Sequence, residues 1–381
     1  MKIAFLIQDL FQQGAQYVTA LMIRGFVAKG YDVDLIVSKV HQDLLNQGDI
    51  EPFAVPQKTN VIILPDRKAK NNIKDIRRYL LNNTPDAIVA MSTNYNFALA
   101  FAAFRLPRGI RKKCIIAYVE HSGIAGLDRN TMKASRPGLF SKGHLISWMF
   151  NHTYDVIMGV SAGTSRAIEF SMRRRPGSVI PVYNPAIDDM YWEKTLSSPS
   201  HNWLKEKTMP TIVAAGAHSA IKNHLCLFEA VRLANKKTPV RLVLFGKGNL
   251  TEKYKQWIDK NQMNERITLA GHSSNLPAEI KNSDIFIVSS NQESFSIVIV
   301  EAMATGTPVI STACPYGPPE LLQDGKYGTL VPVNNPQALA DAIVEQIRNP
   351  RQAAPKEAWQ PYTVENVVKA YEKALGFSDI S

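Results

Sequence analysis

The sequence predicts an α/β protein built from two doubly wound domains, each a parallel sheet with helices on both faces. Three observations predict this. The 381 residues suffice for two or three domains. Short apolar, β-branched runs alternate with stretches whose apolar residues recur at helical spacing, the pattern of a parallel sheet. The alternation pauses over 181–203 (PVYNPAIDDMYWEKTLSSPSHNW), which is polar, Pro-bearing and weakly periodic, and then resumes.

In the first half KIAFLIQ (2–8), YDVDLIVS (31–38), NVIILP (60–65), DAIVAMS (86–92), KCIIAYVE (113–120) and DVIMGVS (155–161) read as strands. AQYVTALMIRGFVAKG (15–30) reads as a helix stopped by Gly30. In the second half TIVAAG (211–216), VRLVLFG (240–246), RITLAG (266–271), DIFIVSS (284–290), TPVIST (307–312) and YGTLVPV (327–333) read as strands. HLCLFEAVRLANKK (224–237), the 294–305 segment and NPQALADAIVEQIRN (335–349) read as helices. A last amphipathic helix, TVENVVKAYEKALG (363–376), follows a Pro-rich stretch. The expected division is 1–185 and 186–359, with a C-terminal helix over 360–378 packing back on the first domain. Open parallel sheets bind ligands beyond their strand C-termini, so the expected ligand crevice lies between two domains facing across a cleft. A hinged cleft also excludes water.

The composition, 45% hydrophobic and 20% charged, is that of a globular protein. No run of about 18 apolar residues suggests a membrane span, and FALAFAAF (97–104) reads as a buried helix. The N-terminus reads as a first strand, not a signal peptide. Cys114, Cys226 and Cys314 are scattered, which argues against a disulfide framework or structural zinc and for a reducing cytoplasmic setting. The net charge of +11 is uneven. Residues 1–185 hold 24 Lys and Arg against 13 Asp and Glu, and the remainder is balanced. The clusters are RKAKNNIKDIRR (67–78), RLPRGIRKK (105–113) and RRR (173–175). Such a field attracts phosphates of nucleic acid or of an anionic membrane face, and equally suits a solvated basic surface. The basic runs lack interleaved aromatics and any helix-turn-helix or RNP-like pattern, so no nucleic-acid partner is expected. LFSKGHLISWMF (139–150) and NIKDIRRYLL (72–81) could lie on a membrane face, or be core on one side and solvated on the other.

The densest signal is NQESFSIVIVEAMATGTPVIS (291–311), where Glu301 stands in an apolar stretch. A carboxylate there must shift its pKa or find partners. With a helix over 294–305 capped by Gly306, Glu293 stands at its mouth. The free N–H groups of 294–297 then make an anion site, and Glu301 lies roughly 12 Å inward. A nucleoside diphosphate would fit, with phosphates on the N–H groups and its ribose diol donating to Glu301. The other reading is that Glu293 complements the helix dipole and Glu301 pairs with a buried Arg or Lys.

The Glu-x7-Glu spacing, followed by EAMATGTPVISTACPYGPPELL (301–322) and DGKYGTLVPVNNPQALADAI (324–343), resembles the C-terminal domain of the retaining glycosyltransferases of family 4, which have the GT-B fold. The resemblance runs back through ITLAGHSSNLPAEIKNSDIFIVSS (267–290), VRLVLFGKGNL (240–250) and AAGAHSAIKNHLCLFEAV (214–231), covering nearly all of 211–376. The first half matches more loosely, through QGAQYVTALMIRGFVAKGYDVDLIV (13–37), AYVEHSG (117–123), GVSAGTS (159–165) and VYNPAID (182–188).

The resemblance implies catalytic roles for Glu293 at the transferred sugar, Lys222 at the leaving diphosphate and His121 near the sugar. It implies donor binding by Glu301 at the ribose, by Ser294, Phe295, Ser296 and Ile297 through backbone N–H groups, and by Gly216, His218, Gly271, His272 and Gly14. The base would be read near 270–276. The family usually carries Arg directly after the glycine matched by Gly216. Here Ala217 and His218 follow, so one diphosphate contact is missing or His218 replaces it. Gln13 and Gln16 stand where Gly and Glu are usual, and Ala313 replaces a common Asp.

Asp32-Val33-Asp34 resembles a metal-binding DxD of a different glycosyltransferase fold, but Val33 and Leu35 inward would turn both acids to solvent. GKG (246–248) lacks the third glycine of a dinucleotide fingerprint, so no NAD site is expected. No cofactor and no metal is expected beyond the nucleotide sugar as co-substrate. The expected function is retaining transfer of a hexose or N-acetylhexosamine, with UDP as the expected nucleotide. The expected acceptor is a saccharide or lipid-linked saccharide of bacterial surface polysaccharide or glycan synthesis, bound by the basic first domain. The expected place is the cytoplasm, peripheral on the inner face of the membrane. The alternatives are a non-catalytic nucleotide-binding scaffold of this fold and a nucleotide-sugar epimerase.

Overall fold

The structure, a computed structural model, describes residues 1–11, 14–47, 53–121, 127–128, 133–134 and 142–377. Gln13, the Ser122-Gly123 end of the histidine-bearing motif and residues 139–141 of the apolar-basic stretch lie outside them. The chain divides into two compact units, Met1–Pro185 with Val364–Ser381, and Ala186–Thr363. The second unit thus runs past the expected 359 to Thr363.

In the first unit the described strands β1 (Lys2–Leu6), β2 (Asp32–Val37), β3 (Asn60–Ile63), β4 (Ala87–Ala90), β5 (Ile115–Glu120), β6 (Val156–Gly159) and β7 (Ile180–Pro181) form one sheet. Its order is β3-β2-β1-β4-β5-β6-β7, and every pairing is parallel. The connecting helices are α1 (Gly14–Ala28), α2 (Lys39–Gln47), α3 (Ile73–Asn83), α4 (Thr93–Ala103), α5 (Arg108–Arg111), α6 (Lys142–Thr153) and α7 (Ala162–Met172). Strand order runs one way from β1 to β3 and the other way from β4 to β7. Right-handed crossovers therefore place α1 and α2 on one face and α3, α4, α6 and α7 on the other.

Both faces being covered, the strands inside the sheet are buried on both sides, while the edge strands β3 and β7 are largely exposed, and this corrects one expectation. Asp32 is exposed, but Asp34 is buried: Lys2 pairs with it at 2.9 Å, and the Tyr79 hydroxyl (2.6 Å) and Asn60 amide (3.0 Å) donate to it. Period-two alternation does not sort inside from outside in such a strand. Among the described residues no cluster of His, Cys, Asp and Glu is arranged to hold a metal ion. The three cysteines are buried and free, and no described helix is long and apolar enough to cross a membrane.

The second unit holds β8 (Thr211–Ala215), β9 (Arg241–Phe245), β10 (Ile267–Gly271), β11 (Ile285–Val288), β12 (Val309–Thr312) and β13 (Thr329–Val331), in the order β10-β9-β8-β11-β12-β13 and all parallel. Its helices are α8 (Asp189–Thr195), α9 (Asn202–Glu206), α10 (His224–Ala234), α11 (Thr251–Lys260), α12 (Leu276–Lys281), α13 (Ile297–Thr305), α14 (Gly317–Leu321), α15 (Pro336–Arg348) and α16 (Lys356–Trp359). Its core joins the sheet to α10, α11 and α15 through Leu227, Phe228, Val231, Tyr254, Leu339 and Ile343. The last helix, α17 (Val364–Ala374), belongs to the first unit and is shorter than the expected 360–378; residue 378 lies outside the described residues. It packs on α1 at Gly25, where a Cβ would stand 2.5 Å from Val364 and 2.6 Å from Val368. Glu372 then accepts from Lys29 (2.5 Å) and Tyr31 (3.0 Å).

Candidate functional site

At the C-terminal edge of the second sheet, three neighbouring strands end in glycine-bearing turns. Gly216 donates its N–H to Phe245 O (3.0 Å), and Gly246 donates to Gly271 O (2.6 Å). Gly246 has φ +127°, and a Cβ there would stand 2.0 Å from Gly216 O, so only glycine fits. The Lys222 stem lies over Gly216, 3.5 Å from where a Cβ would be. The result is a floor of bare backbone with a lysine crossing one end of it. His272, just beyond Gly271, is exposed.

The lysine ends on an acid. Lys222 Nζ lies 2.6 Å from Glu293 Oε1, and Ser290 Oγ donates to the same oxygen at 2.7 Å. The loop carrying Lys222 is fastened to the loop after β11. Asn291 N–H donates to Ile221 O (2.7 Å), Asn291 Nδ2 to Ala220 O (3.2 Å), and Asn223 Nδ2 to Asn291 Oδ1 (3.1 Å). Positions 71 residues apart in sequence thus share one rigid frame.

Helix α13 begins at Ile297, later than the expected 294, because Ser296 takes φ +95°, ψ +81°. A non-glycine residue holds such a conformation only when its surroundings dictate it. Here the Phe295 carbonyl is pressed on Gly317, where a Cβ would stand 1.9 Å away, and the Phe295 ring packs on Tyr362 at 5.5 Å. Phe295 can therefore serve a ligand only through its backbone. Ser296 Oγ is buried without a hydrogen-bond partner among the described residues. Gly306, at φ +77°, caps the helix as expected.

Glu301 is thus about one turn inside the helix. It is 6% exposed, and its carboxylate has no hydrogen bond or ion pair with any described residue. Its backbone carbonyl accepts from the Tyr191 hydroxyl at 2.6 Å and from the Thr305 hydroxyl at 3.4 Å. Burial pushes its pKa up to about 7, with Lys194 opposing the rise and Asp188 adding to it. The reading in which a buried Arg or Lys pairs with Glu301 does not hold among the described residues.

His218 does not stand in for the missing Arg in this structure. Its ring is 1% exposed, Nδ1 lies 2.8 Å from Thr251 Oγ1, and the ring packs against Tyr254 (5.0 Å) and His224 (5.8 Å). Burial lowers its pKa, and burial, helped by His218 and Lys222, lowers that of His224 to about 3. The pair is a neutral clasp: His218 also ties the two glycine turns, its N–H donating to Lys247 O (3.0 Å) and its carbonyl accepting from Leu250 (3.0 Å).

Two predicted residues belong to the first unit. Gly14 opens α1 with open space around it, and His121 follows β5. Both lie at the strand C-terminal edge. His121 is half-buried, its Nε2 has no hydrogen-bond partner among the described residues, and burial lowers its pKa to about 4, so it is neutral at pH 7. Sequence reading missed Ser290, Tyr191 and Lys194. Ser290 stands three residues before Glu293, a spacing that could have suggested the bond. Tyr191 and Lys194 lie on α8, inside the stretch read as irregular.

The family model described as Glycosyl transferases group 1 matches residues 200–361. The GtfA subunit of UDP-N-acetylglucosamine–peptide N-acetylglucosaminyltransferase from Streptococcus agalactiae is 32% identical over 251 residues, 63% of this chain and 46% of that protein. An N-acetylgalactosaminyltransferase from Campylobacter jejuni, acting on N-acetylgalactosamine-N,N'-diacetylbacillosaminyl-diphospho-undecaprenol, is 27% identical over 189 residues, 50% of each chain. The chain spans about half the length of these curated relatives. Anabaena HepE in complex with UDP superposes with TM-score 0.75 over 99% of this chain and 100% of that one at 19% identity. Pneumococcal GtfA in complex with UDP and GlcNAc superposes with TM-score 0.72 over 100% and 99% at 14% identity. At such identities the structural likeness speaks for the fold. With two parallel sheets of Rossmann-like type the chain has the GT-B fold, and residues 200–361, nearly all of its second unit, match the group 1 glycosyltransferase family.

Proposed function

We propose that the protein transfers a hexose or N-acetylhexosamine, with retention, from a UDP-sugar to a saccharide or lipid-linked saccharide in bacterial glycan or surface polysaccharide synthesis. The observation that carries this reading is Glu301: a buried carboxylate one turn inside a helix, with no hydrogen bond or ion pair to any described residue. A ribose diol would supply the two donors it lacks. The diphosphate would lie at the start of α13, drawing Lys222 from Glu293 as charge develops on the leaving oxygen. Glu293 would then face the transferred sugar's hydroxyls. Retention, like the choice of UDP and the acceptor class, rests on likeness to the family and to relatives named for such reactions. No metal is proposed, because Lys222 and the helix start can neutralise the diphosphate.

Thermal shift with UDP-, GDP- and ADP-sugars tests the reading. A ligand at 100 times its Kd stabilises by about 2.7 kcal/mol. A UDP-sugar should raise Tm, and Glu301→Ala should abolish the rise. No shift with any nucleotide sugar would overturn it. The second reading, a non-catalytic nucleotide binder, is favoured by Ala217 where the family carries Arg. A wild-type shift without hydrolysis or transfer over an acceptor panel would select it.

A further inference from the structure

We infer that Lys247 is a specificity-determining residue: its ammonium donates to the exocyclic oxygen of the nucleotide's base, and so selects an oxo base, uracil, over its amino counterpart, cytosine. The inference rests on the proposed reading of the Glu301 pocket and deepens it. The glycine turns of the floor carry two lysines. Lys222 lies over Gly216 and ends on Glu293. Lys247 leaves Gly246 in the other direction. Its stem lies over Gly271, with Cε 3.5 Å from where a Cβ would stand. Its side chain is exposed, and its ammonium has no hydrogen bond or ion pair with any described residue. Its backbone, in contrast, is fixed. The Lys247 carbonyl accepts from the His218 N–H at 3.0 Å, the Gly246 N–H donates to Gly271 O at 2.6 Å, and the Gly248 N–H donates to Thr251 Oγ1 at 3.1 Å. A Cβ on Gly248 would stand 2.6 Å from His218 O. A cation without a protein anion, mounted on a locked turn, is a hydrogen-bond donor held ready for a ligand.

Position decides which acceptor it meets. The strand order is β10-β9-β8-β11. At about 4.8 Å per strand, the end of β10 at Gly271 lies roughly 10 Å from Gly216, on the side away from β11 and the start of α13. In the proposed reading the diphosphate sits at that start, within reach of Lys222, and the ribose on Glu301. The base then continues away from the diphosphate. Protein bonds link Glu301 to the Gly271 turn. Tyr191 of α8 donates to Glu301 O at 2.6 Å, and the carbonyl of Lys194, one turn along the same helix, accepts from Asn275 at 3.1 Å. Asn275 caps α12, and only residues 272–274 separate it from Gly271. Helix α12 in turn lies beside α13, with Thr307 donating to Ile280 O at 2.9 Å. The loop from Gly271 to Asn275 therefore borders the Glu301 pocket, and Lys247 overlies its first residue. An ammonium only donates. It pairs with O4 of uracil, and meets the N4 amine of cytosine donor to donor. The two bases are alike in size, so a donor at that edge separates them where shape does not.

Calorimetric titration of the full chain with UDP and with CDP tests this. Wild type should bind UDP more tightly than CDP by about tenfold or more. Lys247→Ala should weaken UDP by about tenfold to a hundredfold, the loss of one charged hydrogen bond, and leave CDP within about twofold. Lys247→Arg should keep most of the preference. Lys247→Glu, which accepts from an amine, should reverse it. The unliganded Tm should not change in any of the three, because the side chain is exposed and unpaired. UDP and CDP weakened equally by Lys247→Ala would assign the lysine to the diphosphate and overturn the inference. Unchanged UDP affinity in Lys247→Ala, or a wild type that binds both nucleotides alike, would overturn it too. Glu301→Ala tells this failure from that of the underlying reading. Loss of UDP binding in Glu301→Ala but not in Lys247→Ala would sink this inference alone and leave the ribose pocket standing. Full UDP binding by Glu301→Ala would remove the pocket, and the inference with it.

Discussion

The two units use one architecture for different ends. In the second, the candidate site gathers bare backbone at Gly246, a cation held by an acid at Lys222 and Glu293, and a carboxylate at Glu301 unpartnered among the described residues. In the first, nearly all the excess charge of the chain is gathered, and exposed aromatics lie on its helices. The difference teaches that a doubly wound scaffold offers two kinds of surface. Its edge is narrow and preformed, suited to a small anionic ligand. Its helical layer is broad, and suits something extended.

The comparison breaks most visibly at the edge of the second unit. Lys222→Ala should lower transfer by 10²–10³, the usual cost of one charge-stabilising donor, with little change in far-UV circular dichroism; retained activity would remove Lys222 from the chemistry. Next comes Glu301→Gln. Glu301 has its folded pKa raised to about 7, so folding is favoured below its unfolded value near 4.5 and is penalised as pH rises through 7. Glu301→Gln removes that penalty. It should stabilise the ligand-free protein at pH 8 by up to about 3 kcal/mol in denaturant titrations, while losing the Tm rise with UDP-sugar. A destabilised variant would show that a protein partner had been missed.

A smaller effect belongs to the first unit. Asp34→Ala strands Lys2 and the Tyr79 hydroxyl, and should cost about 2–3 kcal/mol without altering nucleotide affinity. Altered affinity would mean the units are not separable in function. The smallest is acidic. His224 has its folded pKa depressed to about 3, so its contribution is full above its unfolded value near 6.5 and is lost as pH falls toward 3. At pH 5 the loss is about 2 kcal/mol, and His224→Gln should flatten the stability profile between pH 7 and 5. An unchanged profile would place the acid sensitivity elsewhere.

Much of this was legible in the sequence, and the failures have physical causes. The twelve expected strands all form, because buried parallel strands are short β-branched runs that little else imitates. Three further described strands, β7 and the antiparallel pair Leu127–Asp128 and Lys133–Ala134, have two residues each, too few to show a period. Helices α8 and α9 are short and start from Asp188 and His201 caps inside polar surroundings, so the 181–203 stretch reads as irregular. Glu301 was visible as an acid out of place. Its lack of a partner was not, since that depends on Lys194 and Asp188 more than 100 positions away in sequence. The surroundings of His218 were hidden for the same reason: only the fold brings Thr251 and Tyr254 to its ring.

The last helix carries a practical lesson. Because α17 supplies Val364, Val368 and Glu372 to α1, the first unit is not a contiguous stretch of chain. A fragment cut at Pro185 would bare the Gly25 groove, whereas Ala186–Thr363 can be excised with both its ends native to it. Anyone wishing to grow the first unit alone should join the tail to the front, building a permuted chain in which residues 364–377 precede Met1.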